Sequence, residues 1–347
     1  MVHLRLLPFA AFLFPVPAAY AASFDCSKAS TPFEHAICDN PELSRADEVL
    51  AQSFATALGG LGEAAAIQLR ADQRTWLDFA RRVCTADARP LTVGRYGARG
   101  IECLLTTLQT RSKIVEQSRM INGHRFSVHT SYEALSDPNE ASDPDSYWRV
   151  ASHETSYPVM DESDPLAQGF NAFVAGQDGF DVSLRSDGDD ETEGLHASSD
   201  TSSDNKIEEI VGDKRISMAI ESYWYGHGAA HGQWGVSYLH YWAPEKRALG
   251  ATDLFAGENW QTTLRDLAWA QLHQQHGEWL QVEKAEDIAE IVIDPARWSF
   301  EDDYSLIIQF EPYEVSAYAY GAPTISIPWQ KLEGIVAENV DSFRYGL

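Results

Sequence analysis

The sequence predicts an α+β protein, with an N-terminal disulfide-stapled all-helical domain followed by an antiparallel β-sheet domain with packed helices. Three observations predict this class. All four cysteines lie in the first third of the chain. Apolar residues recur at steps of three and four up to about residue 119, whereas period-two alternation begins near residue 121. The chain of 347 residues is also longer than one hydrophobic core usually serves.

The first 21 residues have the pattern of an export signal. Arg5 precedes an apolar run from Leu6 to Ala19, and the segment ends in Ala-Tyr-Ala, the kind of small-residue site that signal peptidase cleaves. The run is too short and too rich in proline for a membrane-spanning helix. We therefore expect residues 1–21 to be a signal peptide, and the mature protein to be periplasmic or secreted without membrane insertion.

The cysteines Cys26, Cys38, Cys84 and Cys103 form an even set in a chain expected to be exported, which indicates two disulfides. Three pairings are possible. We favour Cys26 with Cys38 and Cys84 with Cys103, because each pair closes a short loop between predicted helix ends. Free or metal-binding thiols are the alternative, but the sequence has no CxxC spacing.

The negative charge of the protein is confined to its second part. Residues 22–119 hold 12 basic and 12 acidic side chains, whereas residues 120–347 hold 13 basic and 40 acidic ones, a formal net charge of −27. Such a surface repels nucleic acid and anionic lipid, and it attracts basic partners. Solubility alone is the alternative explanation. We place the domain boundary near residue 120, between a helical domain, 22–119, and an α+β domain, 120–347.

Four helices are predicted in the helical domain. The first starts at the capping box Thr31-Pro32-Phe33-Glu34, and the second at Asn40-Pro41-Glu42. A third is predicted over about 64–84 and a fourth over about 100–119, each with apolar residues on one face. The second disulfide would tether the loop between these two helices, which contains glycine and proline.

Three segments of the helical domain follow a known pattern. They read FDCSKASTPFEHAICDNPELSRADEVLAQSF, QRTWLDFARRVC and CLLTTLQTRSKIV. Over about residues 23–117 the chain resembles the LprI N-terminal family, small four-cysteine helical domains of exported bacterial proteins. The resemblance implies a helical fold, and the family's name implies lysozyme inhibition. The resemblance is better evidence for the fold than for the activity, because one fold can host several functions.

Strand patterns begin at about residue 121. The predicted elements are strands over 125–132 and 304–310, and helices over 165–177, 259–276, 278–290 and 328–340. Residues 186–206 contain almost no apolar side chains, so we expect a solvated loop there. A calcium site is the alternative interpretation of its acidic residues, but the ligand order of an EF-hand is absent.

The segment YWYGHGAAHGQWGVSYLHYW, residues 223–242, contains three histidines and seven aromatic residues. Alternation on both sides of its glycines predicts two strands joined by a glycine-rich turn. In the second strand His240 shares a face with Trp234, Tyr238 and Trp242. A partly buried, hydrogen-bonded histidine is therefore more ordinary there than a metal ligand.

The other two histidines of this segment have the spacing of a zinc protease. His227 and His231 are four residues apart, and this spacing brings two imidazoles to one side only in a helix. The intervening and flanking glycines oppose a helix, and no glutamate lies between the histidines to act as a base. We therefore predict no metal and no cofactor.

A second known pattern covers about residues 120–340. WYGHGAAHGQW is followed by LGATDLF and by FEPYEVSAYAYGAPTISIPWQKL. These residues resemble the C-terminal domain family found in RsiV, an anti-sigma factor whose extracellular part binds lysozyme, and in the non-catalytic part of the deacetylase PdaC. Only His231 matches a family histidine. The resemblance does not imply signalling or deacetylation, because the sequence lacks the sigma-binding, transmembrane and deacetylase segments of those proteins.

These observations favour a binding protein of the cell envelope and no enzyme. No nucleophile elbow or phosphate-binding loop is present, so no catalytic residue is assigned. The expected partner is a basic protein such as lysozyme, or peptidoglycan fragments. The candidate contact residues are Tyr225, His231, Trp234, Tyr313, Tyr318 and Tyr320, with packing of the sheet as the alternative role of these side chains. A metal-dependent enzyme acting on peptidoglycan, or a structural envelope module, is the alternative function.

Overall fold

The computed structural model describes residues 22–140, 142–143, 145–177 and 195–346. The predicted signal peptide and residues 186–194 of the predicted loop lie outside the described residues. The predicted fold class is confirmed: four helices precede a large sheet, and a small sheet with helices follows it. Within the described ranges, no helix is long and apolar enough to cross a membrane.

The N-terminal part consists of α1 (Pro32–Asp39), α2 (Pro41–Gly60), α3 (Glu63–Val83) and α4 (Ala98–Val115). The predicted capping box starts α1. The hydroxyl of Thr31 accepts a hydrogen bond from the Glu34 amide at 3.2 Å, and the Glu34 carboxylate accepts one from the Thr31 amide at 2.9 Å. These bonds satisfy main-chain donors that the first helical turn leaves without a partner.

Both favoured disulfide pairings are confirmed. Cys26 is joined to Cys38, and Cys84 is joined to Cys103. The first bond ties the N-terminal segment to α1, and the second ties the end of α3 to the first turns of α4. The long loop between α3 and α4 is therefore closed at its base.

The large sheet follows the order of the chain. Its strands are β1 (Met120–Ile121), β2 (His124–Ser136), β3 (Val150–Met160), β4 (Ser199–Val211), β5 (Arg215–Gly226), β6 (Gln233–Trp242) and β7 (Arg247–Ala248). All neighbours are antiparallel except β3 and β4, which are parallel. A parallel pair needs a crossover connection, and α5 (Pro165–Ala175) lies in this one. The predicted start of α5 is confirmed, since Asp164 caps its first turn.

The prediction of a loop over residues 186–206 was wrong for its last part, which belongs to β4. The main chain of β4 pairs with β3 on one side and with β5 on the other. Its polar side chains find partners across the sheet; the hydroxyl of Ser156, for example, donates to the Asp204 carboxylate at 2.5 Å. Pairing with two neighbouring strands therefore outweighs the polar composition, which by itself is typical of a loop.

A small antiparallel sheet and five short or medium helices form the C-terminal part. The strands are β8 (Trp298–Ser299), β9 (Ser305–Gln309) and β10 (Thr324–Pro328), in the order β10-β9-β8. The helices are α6 (Ala251–Leu254), α7 (Trp260–His276), α8 (Ala289–Val292), α9 (Trp329–Leu332) and α10 (Val340–Tyr345). One hydrophobic core joins them to the end of β6 at Trp242.

Two predicted helices in this part were wrong in extent. Residues 278–284 are not helical, because the Gln281 amide donates to the carbonyl of Val315 at 2.9 Å and a regular helix resumes only at α8. Of the last predicted helix, 328–340, only α9 is helical, and α10 begins at its final residue, Val340. Between them the Ala337 amide donates to the Leu254 carbonyl at 2.8 Å, so this main chain pairs with a distant segment.

The helices and the large sheet share a core. Trp76 of α3 and Leu104 of α4 belong to the same cluster of buried side chains as Val128 of β2. Arg111 of α4 is fully buried at this junction and donates hydrogen bonds to the hydroxyl of Tyr132 at 3.0 Å and to other oxygens of α3 and β2. The helical part is thereby fixed to one face of the sheet.

Candidate functional site

The predicted hairpin is confirmed as β5 and β6, joined by a turn over residues 227–232. Tyr223 pairs with Trp234, and Trp224 pairs with Gln233, in an antiparallel register. Directly opposed residues lie on the same face of a sheet, and neighbouring residues point to opposite faces. The tip of the hairpin therefore carries aromatic side chains on both faces.

The glycines of the hairpin make room for neighbouring side chains. A Cβ on Gly226 would lie 2.8 Å from the indole ring of Trp224, and one on Gly232 would lie 2.5 Å from the ring of Tyr223. Both distances are shorter than side-chain carbons tolerate. Each ring can therefore lie this close to the main chain only because these two positions are glycine.

Five side chains from two distant segments meet at the hairpin tip, and we call them the aromatic surface: Tyr223, His231, Trp234, Tyr313 and Tyr318. The His231 ring stacks on Tyr318 with centroids 4.2 Å apart, and Tyr313 lies 5.3 Å from Tyr318. The Tyr313 hydroxyl donates to His231 Nε2 at 3.2 Å, and the Tyr318 hydroxyl donates to the Gly232 carbonyl at 2.7 Å. The turn of the hairpin is thus held to residues 313–318.

The large rings of this surface are exposed. Tyr223 is 41% exposed, Trp234 is 38% exposed and Tyr313 is 55% exposed, whereas Tyr238 and Trp242 farther along β6 are buried. The second strand of the hairpin therefore begins at the surface and ends in the core. Exposed aromatic side chains grouped in this way are typical of contact surfaces.

Tyr313 has an unusual main-chain conformation. Its φ angle is +74°, in the left-handed region that residues other than glycine and asparagine rarely adopt. The surrounding turn is fixed by the Glu314 carboxylate, which accepts from the Glu311 amide at 2.7 Å and from Arg297 at 2.6 Å. Such strain costs on the order of 1–2 kcal/mol and is concentrated at functional positions in proteins.

Acidic side chains surround the aromatic surface. Asp200 lies beside Tyr223 on the neighbouring strand, and burial together with the charge of Asp200 raises the pKa of the Tyr223 hydroxyl. Glu221 is exposed on the same face of β5 and forms an ion pair with Lys206, and Glu311 lies near Gly235 of β6 in an ion pair with Arg297. Basic side chains therefore balance part of the negative charge beside these rings.

The two remaining predicted contact residues lie beside this surface. Tyr225 follows Tyr223 on the same face of β5, and its hydroxyl donates to the carbonyl of Ala229 in the turn. Tyr320 belongs to another group, in which its ring stacks on Trp279 and its hydroxyl bonds His276 Nδ1 at 2.8 Å. The structure therefore brings His231, Trp234, Tyr313 and Tyr318 together, but it gives Tyr320 different neighbours.

His227 and His231 have different partners. The imidazole of His227 is 2% exposed; its Nδ1 lies 2.6 Å from Asp137, and its Nε2 lies 3.5 Å from Asp200. Burial lowers the pKa of His227, but the interactions with the two carboxylates raise it more, so the net shift is upward. Within the described ranges, no three His, Cys, Asp or Glu side chains are arranged to hold a metal ion.

His240 is hydrogen-bonded, as predicted, and it is more completely buried than expected. Its Nδ1 lies 2.8 Å from the Ser217 hydroxyl, and its Nε2 lies 2.9 Å from the Trp298 carbonyl. Burial and the nearby Arg215 lower the pKa of His240 to about 3. The imidazole is therefore neutral at physiological pH and joins the large sheet to β8.

The sequence patterns did not indicate the pairing of His227 with Asp137 or a role for Tyr223 and Trp224. The pair joins residues 90 positions apart, and nothing in the local sequence connects them. Trp224 could have been found, because a glycine two residues after a strand tryptophan leaves its ring room to lie close to the main chain on the same face.

The C-terminal part of the chain is similar to a described family. Residues 252–330 match the model of "Protein of unknown function (DUF3298)". A solved DUF3298 family structure from Bacteroides fragilis is 17% identical, covering 62% of this chain and 94% of its own, with a TM-score of 0.45. Another, from Pseudomonas aeruginosa, is 16% identical, covering 62% of this chain and 96% of its own, with a TM-score of 0.40. No curated protein matches the chain.

The family match confirms the C-terminal relationship over residues 252–330. The relationship of residues 23–117 to the LprI N-terminal family stays a prediction. The matched residues include Tyr313 and Tyr318 of the aromatic surface, but the hairpin that carries the other three members lies outside them.

Proposed function

We propose that this chain, whose residues 252–330 form a DUF3298 domain, is an exported, non-catalytic binding protein of the cell envelope. Its partner is a basic protein of the lysozyme class, and the aromatic surface is the contact region. One observation carries this proposal: exposed rings from the hairpin and from residues 313–318 converge on one surface of a strongly acidic part of the chain.

The arrangement of the rings supports a role in binding a protein. His231 and Tyr318 are fixed by stacking and by hydrogen bonds to the turn, so they lose little side-chain entropy when a partner binds. Tyrosine and tryptophan supply a large contact area with few rotatable bonds, and they are enriched among the residues that dominate binding energy.

The electrostatics favour a cationic partner. Residues 120–347 have a formal net charge of −27, and Asp200, Glu221 and Glu311 lie close to the rings. A field of this sign accelerates association with a basic protein, and salt weakens the effect because the Debye length falls to about 10 Å at 0.1 M. Both family resemblances of the sequence lead independently to lysozyme.

Tyr313 supports the proposal separately. Its left-handed main chain is held by the Glu311–Glu314 turn, and this geometry places a 55% exposed ring at the outer edge of the surface. A tyrosine in this conformation is destabilising for folding, since asparagine or glycine would adopt it with less strain. Its presence is explained if the ring contacts a partner.

The test measures binding of the mature protein to cationic lysozymes by biolayer interferometry, at about 20 mM and about 500 mM salt. We expect the association rate to fall strongly at high salt. Tyr313→Asn and Trp234→Ala should each weaken binding about tenfold or more, because each removes a large aromatic contact. A parallel assay of lysozyme activity distinguishes inhibition from binding alone.

Trp279→Ala is the matched control, because Trp279 is 59% exposed but lies in the Tyr320 group and not in the aromatic surface. It should leave lysozyme binding unchanged. If the mature protein binds no cationic lysozyme at low salt, the partner class is wrong. If Trp279→Ala weakens binding as much as Tyr313→Asn does, the contact region is wrong.

A further inference from the structure

A groove crosses β4, β5 and β6 near the hairpin tip and borders the aromatic surface. Its volume is about 430 Å³, within the range of about 300–1,000 Å³ found for small-molecule sites. Trp224 lines it together with Ser222 and Gln233, which lie on the same face of the hairpin, and Tyr223 and Trp234 of the aromatic surface also line it. The groove is therefore continuous with the aromatic surface, but Trp224 and the polar groups around it do not belong to that surface.

Trp224 forms a flat wall of this groove. Its indole lies against the main chain at Gly226, where any Cβ would come within 2.8 Å of the ring, and the side chain is nevertheless 44% exposed. The exposed ring face is apolar and carries the negative part of the aromatic quadrupole. Such a face attracts the C–H bonds on one side of a sugar ring, which are apolar and slightly positive.

The floor of the groove is polar and uncharged. The hydroxyls of Thr201, Ser222 and Ser237 and the amide of Gln233 line it from three adjacent strands. Hydroxyls and amides both donate and accept hydrogen bonds, so they suit a ligand whose own groups do the same. Neighbouring hydroxyls on a sugar ring have this property, whereas an extended peptide would be expected at an unpaired strand edge.

The side of the groove formed by Glu311 and Pro312 carries one carboxylate. Glu311 approaches the main chain of β6 at Gly235, where a Cβ would lie 2.8 Å from its Oε1 atom. No lysine or arginine is among the residues that line the groove, all of which belong to the described part of the chain. A carboxylate accepts hydrogen bonds from hydroxyl, amide or ammonium groups and repels sulfate, phosphate and uronate.

We propose that this groove binds an uncharged or amino-substituted oligosaccharide, with Trp224 stacked on a sugar ring and Glu311 accepting hydrogen bonds from its substituents. This inference rests on Trp224, Glu311 and the polar groups of the groove, and it does not require the proposed protein partner. Because Tyr223 and Trp234 line the groove and also belong to the aromatic surface, an oligosaccharide and a lysozyme-class protein would compete for these two rings.

The test is isothermal titration calorimetry of the mature protein with three oligosaccharides of equal length: an N-acetylglucosamine tetramer, its deacetylated form and a sulfated tetrasaccharide. We expect binding of at least one of the first two, and none of the sulfated sugar. Trp224→Ala should weaken that binding about tenfold or more, because it removes the stacking face. Trp279→Ala, which removes an exposed indole outside the groove, should leave it unchanged.

Two further variants test the side of the groove formed by Glu311. Glu311→Gln keeps the shape of the side chain but removes its charge, so it should weaken binding of the deacetylated tetramer more than that of the acetylated one. Gly235→Ala should displace the Glu311 carboxylate and weaken both. Thermal melting confirms that each variant is folded. Absence of binding by both unsulfated sugars, or binding that a folded Trp224→Ala variant retains, would overturn the proposal. A Tyr313→Asn variant that loses lysozyme but keeps the sugar separates this result from the proposed function.

Discussion

The buried pair of His227 and Asp137 gives the most specific prediction about stability. The Asp137 side chain is fully buried, and its carboxylate accepts from His227 at 2.6 Å, from the Asn139 amide at 2.7 Å and from the Ser198 hydroxyl at 3.2 Å. The pair ties the first residue of the hairpin turn to the loop after β2. We therefore expect replacement of His227 to loosen the base of the hairpin.

The size of the effect follows from burial. His227→Leu leaves a buried carboxylate without its cationic partner, which costs about 3–5 kcal/mol when one member of a buried ion pair is removed. At high pH the His227 imidazole of the wild-type protein is neutral. His227→Leu then removes only a hydrogen bond to a charged group, which lowers the free energy of unfolding by about 1.5–3 kcal/mol. His227→Gln supplies a neutral donor and should restore part of that smaller loss.

The direction of the pH dependence follows from the two pKa shifts. The pKa of His227 is raised, so its contribution is complete below its ordinary value of 6.5 and is lost as pH rises through the folded-state value. Burial raises the pKa of Asp137, but its hydrogen bonds lower the pKa by more, so the net shift is downward. The contribution of Asp137 to stability is therefore complete above its ordinary pKa of 3.8 and is lost as the pH falls through the folded-state value. The pair stabilises the fold most between about pH 4 and 6.5.

The assay is urea unfolding of the wild type, His227→Leu and His227→Gln at about pH 5.5 and about pH 9. The destabilisation by His227→Leu should be larger at the lower pH. A double-mutant cycle with Asp137→Asn should show a coupling energy that also falls at high pH. If the destabilisation is equal at both pH values, the imidazolium charge does not contribute and the reasoning is refuted.

Two further predictions concern Glu154 of β3, whose carboxyl group interacts electrostatically with the buried Arg111, and the second disulfide. Burial raises the pKa of Glu154 from 4.5 to about 7, so the wild type loses stability as the pH rises between these values. In urea unfolding, Glu154→Gln should be about 3 kcal/mol more stable than the wild type above pH 8. Below pH 4 the two proteins should be equally stable. Equal stabilities at pH 8 would show that Glu154 is not buried as a neutral acid. The Cys84–Cys103 bond spans 19 residues, and replacing both cysteines with alanine should lower the free energy of unfolding by about 3 kcal/mol; an unchanged urea midpoint would contradict this estimate.

Local sequence signals predicted much of the fold correctly. Thr31 and Glu34 start α1 through contacts within four residues, and Asp164 with Pro165 starts α5 in the same way. The hairpin was predictable because alternation and glycine both act locally. Residues 199–206, 278–284 and 333–339 were predicted incorrectly, because their main chains pair with distant segments that local patterns do not reveal.

In the candidate site, too, the sequence indicated individual residues but not how they come together. The sequence indicated His231, Trp234, Tyr313 and Tyr318 as contact residues, from aromatic content and from a resemblance. Their meeting at one surface depends on a ring contact between positions 231 and 318. The position of the Trp224 ring depends on its packing against the main chain at Gly226, although the two residues are close in sequence.

By itself the sequence determined the helix starts, the fold class, the disulfide partners that were favoured, the hairpin and the acidic character of residues 120–347. These features follow from residues that are near one another along the chain or from composition alone. The tertiary structure was needed to show which exposed rings form one surface, which carboxylate holds His227, and which side chains line the groove. Each of these depends on packing between segments far apart in sequence, where burial and pairing outweigh local preference.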